Sequence, residues 1–167
     1  MIAALIAALA AAAPVAPAEL AVPAGSALAL RAEGRGVQIY VCEQHADQPG
    51  QYGWRFVAPQ ATLLDADGKA IGRHYAGPTW QGADGGKVVG EMRAKMASPD
   101  ASAIDWLLLS AKSATGGPSV IGRASYVQRL ATVGGQSPAS GCTGDNLGDQ
   151  IRVPYSAEYD FYIPAEK

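Results

Sequence analysis

Residues 36–42 read GVQIYVC, and their alternation decides the fold class. Val37, Ile39 and Val41 share one side of an extended chain; Gln38, Tyr40 and Cys42 share the other. A period of two marks a strand, because successive side chains of extended backbone point to opposite faces. The pattern recurs on either side of this stretch. In VVGEMRAKM (88–96), Val88, Met92, Ala94 and Met96 alternate with Val89, Glu91, Arg93 and Lys95. In YSAEYDFYI (155–163), Tyr155, Tyr159, Phe161 and Ile163 oppose Glu158 and Asp160. ALALR (27–31), YGWRF (52–56), IDWLLL (104–109) and SYVQRL (125–130) complete the set, with Trp54, Phe56 and Trp106 read as core residues.

Turn signals separate these runs. LLDADGKAIG (63–72) predicts a hairpin closed by Asp65-Ala66-Asp67-Gly68, since Gly takes positive φ without steric cost. QGADGGK (81–87) predicts a second hairpin loop, and TGGPS (115–119) and GGQSPASG (134–141) are further breaks. No segment sustains an apolar period of 3.6; the best helical candidate is SPDASAI (98–104). The expectation is a single all-β domain over residues 19–167, an antiparallel β-sandwich or flattened barrel of about eight to ten strands with one short helical turn at most.

The chain opens MIAALIAALAAAAPVAPAEL. Its small apolar run ends at Ala16-Pro17-Ala18, the A-x-A pattern of a cleavable export signal. The run is too short to span a bilayer, which takes about 20 apolar residues. It also lacks a basic residue after Met1, so a retained amphiphilic tail is the alternative. The reading is a cleaved signal peptide over residues 1–18, no transmembrane span in the mature form, and a periplasmic or extracellular location. The cysteine count fits this reading. There are two, Cys42 and Cys142, and exported domains keep disulfides. A Cys42–Cys142 bridge is expected; two buried free thiols are the alternative.

Composition excludes several functions. The 167 residues carry 13 Lys and Arg against 15 Asp and Glu, a net charge of -2, and the basic residues are scattered singly along the chain. No basic stripe is present to neutralise a phosphate backbone, so no nucleic-acid partner is expected. The two histidines, His45 and His74, have no metal-binding spacing, and no metal site is expected. The DADG turn starts like a calcium loop, but Lys69 stands at its fifth position and Ala76 at its twelfth. Gly34-Arg35-Gly36 precedes a strand and Ile39 replaces the third glycine of a dinucleotide fingerprint, so no cofactor is expected. Ser119 lies in GGPSVIG, outside any nucleophile-elbow pattern.

One stretch keeps a functional reading open. GRHYAGPTW (72–80) brings together His74, Tyr75, a Gly77-Pro78 corner and Trp80. As a site, His74 is the candidate catalytic residue, with His74, Tyr75, Trp80 and Tyr52 as candidate ligand-binding residues for a small molecule or saccharide. As structure, His74 bridges backbone groups at the corner and Trp80 plugs the core. His45, in a polar loop, reads as exposed.

In their order, GVQIYVC, GWRFVAPQATLLDADGKAIGRHYAGPTWQ, KVVGE, WLLL, SYVQRL, a late Gly-Cys pair and VPYSAEYDFY resemble one family across roughly residues 20 to 163. It is the family of exported bacterial and fungal proteins known as domain of unknown function 3455. The resemblance implies a secreted or envelope single domain with its cysteines at these places, and it includes the corner formed here by His74, Tyr75, Gly77, Pro78 and Trp80. It implies no reaction. Some relatives carry a dehydrogenase label, which this chain's lack of phosphate-binding glycines and of an α/β pattern opposes. The expected function is an exported, non-catalytic module that binds a small ligand or associates with the envelope. The alternative is a small metal-independent hydrolase or isomerase using His74 with an acidic neighbour, Asp84 or Glu91.

Overall fold

The computed structural model describes residues 14–166. Most of the expected signal segment, residues 1–13, lies outside the described residues. Eight antiparallel strands form one sheet that closes on itself: β1 (Ser26–Gln44), β2 (Tyr52–Leu64), β3 (Ala70–Tyr75), β4 (Thr79–Gly82), β5 (Lys87–Met96), β6 (Trp106–Thr115), β7 (Tyr126–Gly134) and β8 (Gln150–Pro164). Each strand pairs with the next in sequence, and β8 pairs back onto β1, so no edge is left open. The architecture is therefore the closed-barrel form of the expected all-β fold. Among the described residues, helix is limited to 3₁₀ turns at Ala18–Leu20, Ile121–Arg123 and Gly144–Asn146.

Two sequence expectations change. ALALR and GVQIYVC are one continuous strand, because the RAEGRG between them stays extended. Gly34 and Gly36 are there for room. A Cβ on Gly34 would come 2.5 Å from Tyr159 Cε2, and one on Gly36 would collide with the Gln60 carbonyl and Ala61. Nor does SPDASAI form a helix. The Asp100 carboxylate accepts from the Ser102 amide at 2.9 Å and from its hydroxyl at 2.7 Å, competing locally with helical bonding. The Asp65–Gly68 turn forms as read: Asp65 Oδ1 accepts from the Asp67 and Lys69 amides, and Gly68 has φ +77°.

The core fills the lower part of the barrel. Ala32, Ala61, Leu63, Trp80, Val88, Leu109, Val127, Ala157, Tyr159 and Phe161 interdigitate, and Ile121 and Ala124 of the loop between β6 and β7 close the bottom. A second cluster lies outside the wall. Leu20, just before β1, is buried against Leu108 and Leu130 with Met96, Trp106 and Tyr126 around it. Gln128 fastens this segment: its Nε2 donates to the Leu20 carbonyl at 2.6 Å while its Oε1 accepts from Tyr162 at 2.9 Å. On the same outer side, Arg31 makes a two-pronged bond to the buried Asp160, 2.7 Å on each arm, with Glu158 3.0 Å from its Nε.

At the upper end the Cys42–Cys142 disulfide ties the end of β1 to the long connection between β7 and β8. The bridge spans 100 residues of sequence, and in the chain-entropy account a loop of that size is worth about 4.7 kcal/mol. Reduction, or paired Cys→Ala replacement, is expected to lower the thermal midpoint by well over ten degrees in calorimetry. An unchanged melt would mean that the barrel holds its upper connection without the link.

Candidate functional site

β3 and β4 are the shortest walls of the barrel, and they carry the histidine corner. In their register His74 faces Trp80 and Tyr75 faces Thr79, so His74 and Trp80 point inward and Tyr75 points out. Inside, the His74 ring stacks on Trp80 with centroids 4.4 Å apart and planes 10° apart, and Tyr159 lies 5.1 Å away. His74 is only 3% exposed. Its Nδ1 sits 2.9 Å from the Thr79 carbonyl, which fixes the neutral ring with Nδ1–H as donor. Burial pushes its pKa down to about 3; the Thr79 bond resists that shift and the Arg129 charge reinforces it.

The four candidate residues do not form one surface. Trp80 is buried in the core beside Tyr159 and Phe161. Tyr75, on the outer wall, bonds Gln81 through its hydroxyl at 3.1 Å and lies under the Arg73 guanidinium. Tyr52 lies at the upper rim against Gly144. Neither carboxylate considered as a partner for His74 reaches it. Asp84 accepts from the Ser119 amide at 2.8 Å and hydroxyl at 2.9 Å, which hold its pKa below the usual range, and Glu91 lies 3.7 Å from Arg93.

Besides a recess of about 730 Å³ on the outer wall, lined by Arg35, Arg73, Tyr75 and Arg152, a concave site lies higher up, in the mouth of the barrel. A cavity of about 470 Å³ opens there. Polar groups line its floor: Gln38, Tyr40, Arg129 and Gln136. Phe56, Met92, Ile104 and Leu107 supply its apolar wall. Two loops are laced together to make one side of it. Tyr40 donates to the Gly135 carbonyl at 2.6 Å, Thr132 to the Ile104 carbonyl at 2.6 Å, and Gln136 to the Ala103 carbonyl at 2.7 Å. On the open side Phe56 is 48% exposed and Met92 56% exposed, although both lie on the inward register of their strands. Phe56 is thus a rim residue rather than core. The β5–β6 ladder is bulged twice, with Lys112 the extra residue on β6 and Arg93 the extra residue on β5, and such bulges bend and twist the strand that carries them. Trp54, also read as core, is half-buried at the rim and donates from its indole to the Ser140 carbonyl at 3.0 Å.

Arg129 is the dominant charge within. Its Nε and Nη2 both donate to the Asp105 backbone carbonyl, at 3.0 and 2.8 Å. Beneath it, the Tyr155 and Tyr159 hydroxyls are 3.1 Å apart. Burial raises both phenols above their ordinary pKa, and Arg129 opposes that rise in each. Sequence reading passed over Arg129, although SYVQRL places it in alternation with Gln128 and Leu130 and on the side of Val127. An arginine on the face of a buried valine was the available signal.

The family described as "Protein of unknown function (DUF3455)" matches residues 23–163. The chain belongs to this family. No curated protein and no solved structure matches the chain. The match begins before β1 and ends within β8, so for the DUF3455 family in this chain it takes in the whole closed barrel, the His74 corner and the lining of the mouth.

His74 makes stability depend on pH. In the unfolded chain it titrates near 6.5, whereas in the barrel it stays neutral down to about 3. Between those values the unfolded state binds the extra proton, so stability falls as pH falls. Lowering pH from 7 to 5 should cost about 2 kcal/mol through this one group. Denaturant melts of the wild type and of His74→Gln at both values test this: the difference should shrink by that amount in the variant, and an equal loss in both would remove His74 as its source.

Proposed function

We propose that this protein is an exported, non-catalytic module that holds a small molecule in the mouth of its barrel. The supporting observation is the mouth itself. It is a pre-formed recess of about 470 Å³ with a polar floor and an apolar wall, within the range of small-ligand sites and at the place where barrels commonly hold them. Half-exposed Phe56 and Met92 at a rim gain little for folding and are available for contact with a guest.

The surroundings of His74 favour binding over turnover. Among the described residues His74 has no carboxylate beside it, and its ring is sealed between Trp80 and Tyr159. A general base must reach its substrate's proton and be tuned near the working pH, and this imidazole meets neither condition. Export is supported by the disulfide, a bond that persists in oxidising compartments, and by the alanine-rich start with its A-x-A pattern. Among the described residues no helix is long and apolar enough to cross a membrane. The outer wall carries exposed charges, Glu33, Arg35, Glu43 and Arg55 among them, as a face turned to water does.

NMR titration of the isotopically labelled protein with a panel of small alcohols, amides, acids and sugars tests the proposal. Shifts are expected to cluster on Tyr40, Phe56, Met92 and Leu107. Met92→Trp should fill the recess and abolish those shifts while leaving the thermal midpoint nearly unchanged, since Met92 is largely solvated. Shifts confined to the outer wall, or binding indifferent to Met92→Trp, would move the function elsewhere.

A further inference from the structure

We infer that the mouth selects an organic anion: a carboxylate joined to a compact apolar body. The inference rests on the binding function proposed above and names the chemical class of its ligand. Three observations carry it.

The first is an unpaired charge. Among the described residues no carboxylate lies within ion-pair distance of Arg129. A guanidinium has five N–H donors; two serve the Asp105 carbonyl, and the group also faces the Tyr159 hydroxyl. Those neighbours satisfy hydrogen bonds and leave the charge uncompensated. Its field reaches His74, Tyr40, Tyr155 and Tyr159.

The second is an orphaned donor. Gln38 is 2% exposed, it lines the same cavity, and its Nε2 has no hydrogen-bond partner. A buried amide donor left unmade costs roughly 1–3 kcal/mol, a cost that an arriving acceptor oxygen removes. Carboxylate oxygens are acceptors only, which suits both the amide and the guanidinium.

The third is the balance of the rim. The other ionisable side chains lining the cavity, apart from the Tyr40 phenol, are Lys95 and Asp105, whose Nζ and Oδ2 are 3.8 Å apart and offset each other. Arg129 therefore sets the sign of the cavity. Opposite the polar floor, Phe56, Met92, Ile104 and Leu107 offer an apolar surface, and the Tyr40 ring meets Phe56 edge-on at 5.7 Å. The recess thus has a cationic end and a greasy end, and its guest is amphiphilic in the same sense.

Calorimetric titration with matched probes tests the inference: phenylacetate and hexanoate as acids, phenylacetamide and hexanol as their neutral counterparts. The acids should bind more tightly than the neutral probes. Arg129→Gln should weaken the acids by roughly tenfold or more, the usual loss for a charged hydrogen bond, and leave the neutral probes unchanged. Arg129 also braces the Asp105 loop, so Gln38→Met provides a second arm. It should weaken the acids severalfold while holding or raising the thermal midpoint, because it removes a buried unpaired donor and conserves volume. Neutral probes that bind as well as the acids, with neither variant discriminating, would overturn the anion inference and leave the binding module standing. If no probe perturbs the mouth, the binding reading fails and this inference falls with it.

Discussion

The structure depends on the pairing of β1 with β8. β1 is the longest strand, and it and β8 are the two whose partners lie at opposite ends of the chain: β2 follows β1 directly, while β8 lies more than a hundred residues on. Without that seam the sheet would be a curled meander with two open edges. With it, inward and outward become fixed for every strand, because in a barrel each side chain points either to the lumen or to the outer surface. The seam is steeply constrained. It brings Gly34 opposite Ala157, and the Tyr159 ring occupies the space a β-carbon at Gly34 would need. The disulfide and the Arg31–Asp160 pair brace the same seam from its two ends, one from above and one from the outer wall.

Closure also explains which parts of the fold the sequence disclosed. Alternation in GVQIYVC, VVGEMRAKM and YSAEYDFYI is a local property of extended backbone, so the strands, the Asp65–Gly68 hairpin and the all-β class were legible. Which of two alternating faces turns inward is not local. β1 puts Gln38, Tyr40 and Cys42 inside and leaves Val37, Ile39 and Val41 half-exposed on the outer wall, the reverse of the usual assumption that the aliphatic face is buried. The inversion arises because the upper lumen is polar. Gly34 and Gly36 were misleading for a related reason: in isolation glycines suggest a break, and here they mark the close approach of a ring and a neighbouring strand.

The candidate site was legible only in part. The His74–Trp80 corner stood out because its residue types are rare in this chain, and rarity points to conspicuous packing as readily as to chemistry. Here the ring is neutral, stacked and sealed. The mouth, by contrast, is assembled from five strands and two loops, with Gln38 and Arg129 brought together from distant sequence positions. No motif spans such a set. Basic residues that look scattered along the chain are likewise regrouped by the fold: Arg35, Arg73 and Arg152 share one patch of the outer wall, held there by Glu33, Gln81 and Gln60.

Of the three orphaned side-chain donors among the described residues, the Trp106 indole lies outside the wall, and the other two differ in whether a guest in the mouth would meet them. Trp80 Nε1 and Gln38 Nε2 are both buried without a partner. Trp80 lies deep among His74, Tyr159 and Phe161 and takes no part in lining the mouth, so its unmade bond is a standing cost set against the large apolar area the indole buries. Gln38 buries less apolar surface to offset the same cost, and a leucine or methionine would fill its place in the lumen without one. Its position on the floor of an open recess, in the field of an uncompensated guanidinium, makes the deficit recoverable on binding. A destabilising polar group is understandable where a ligand can complete it, and that is the role proposed for Gln38 at the mouth.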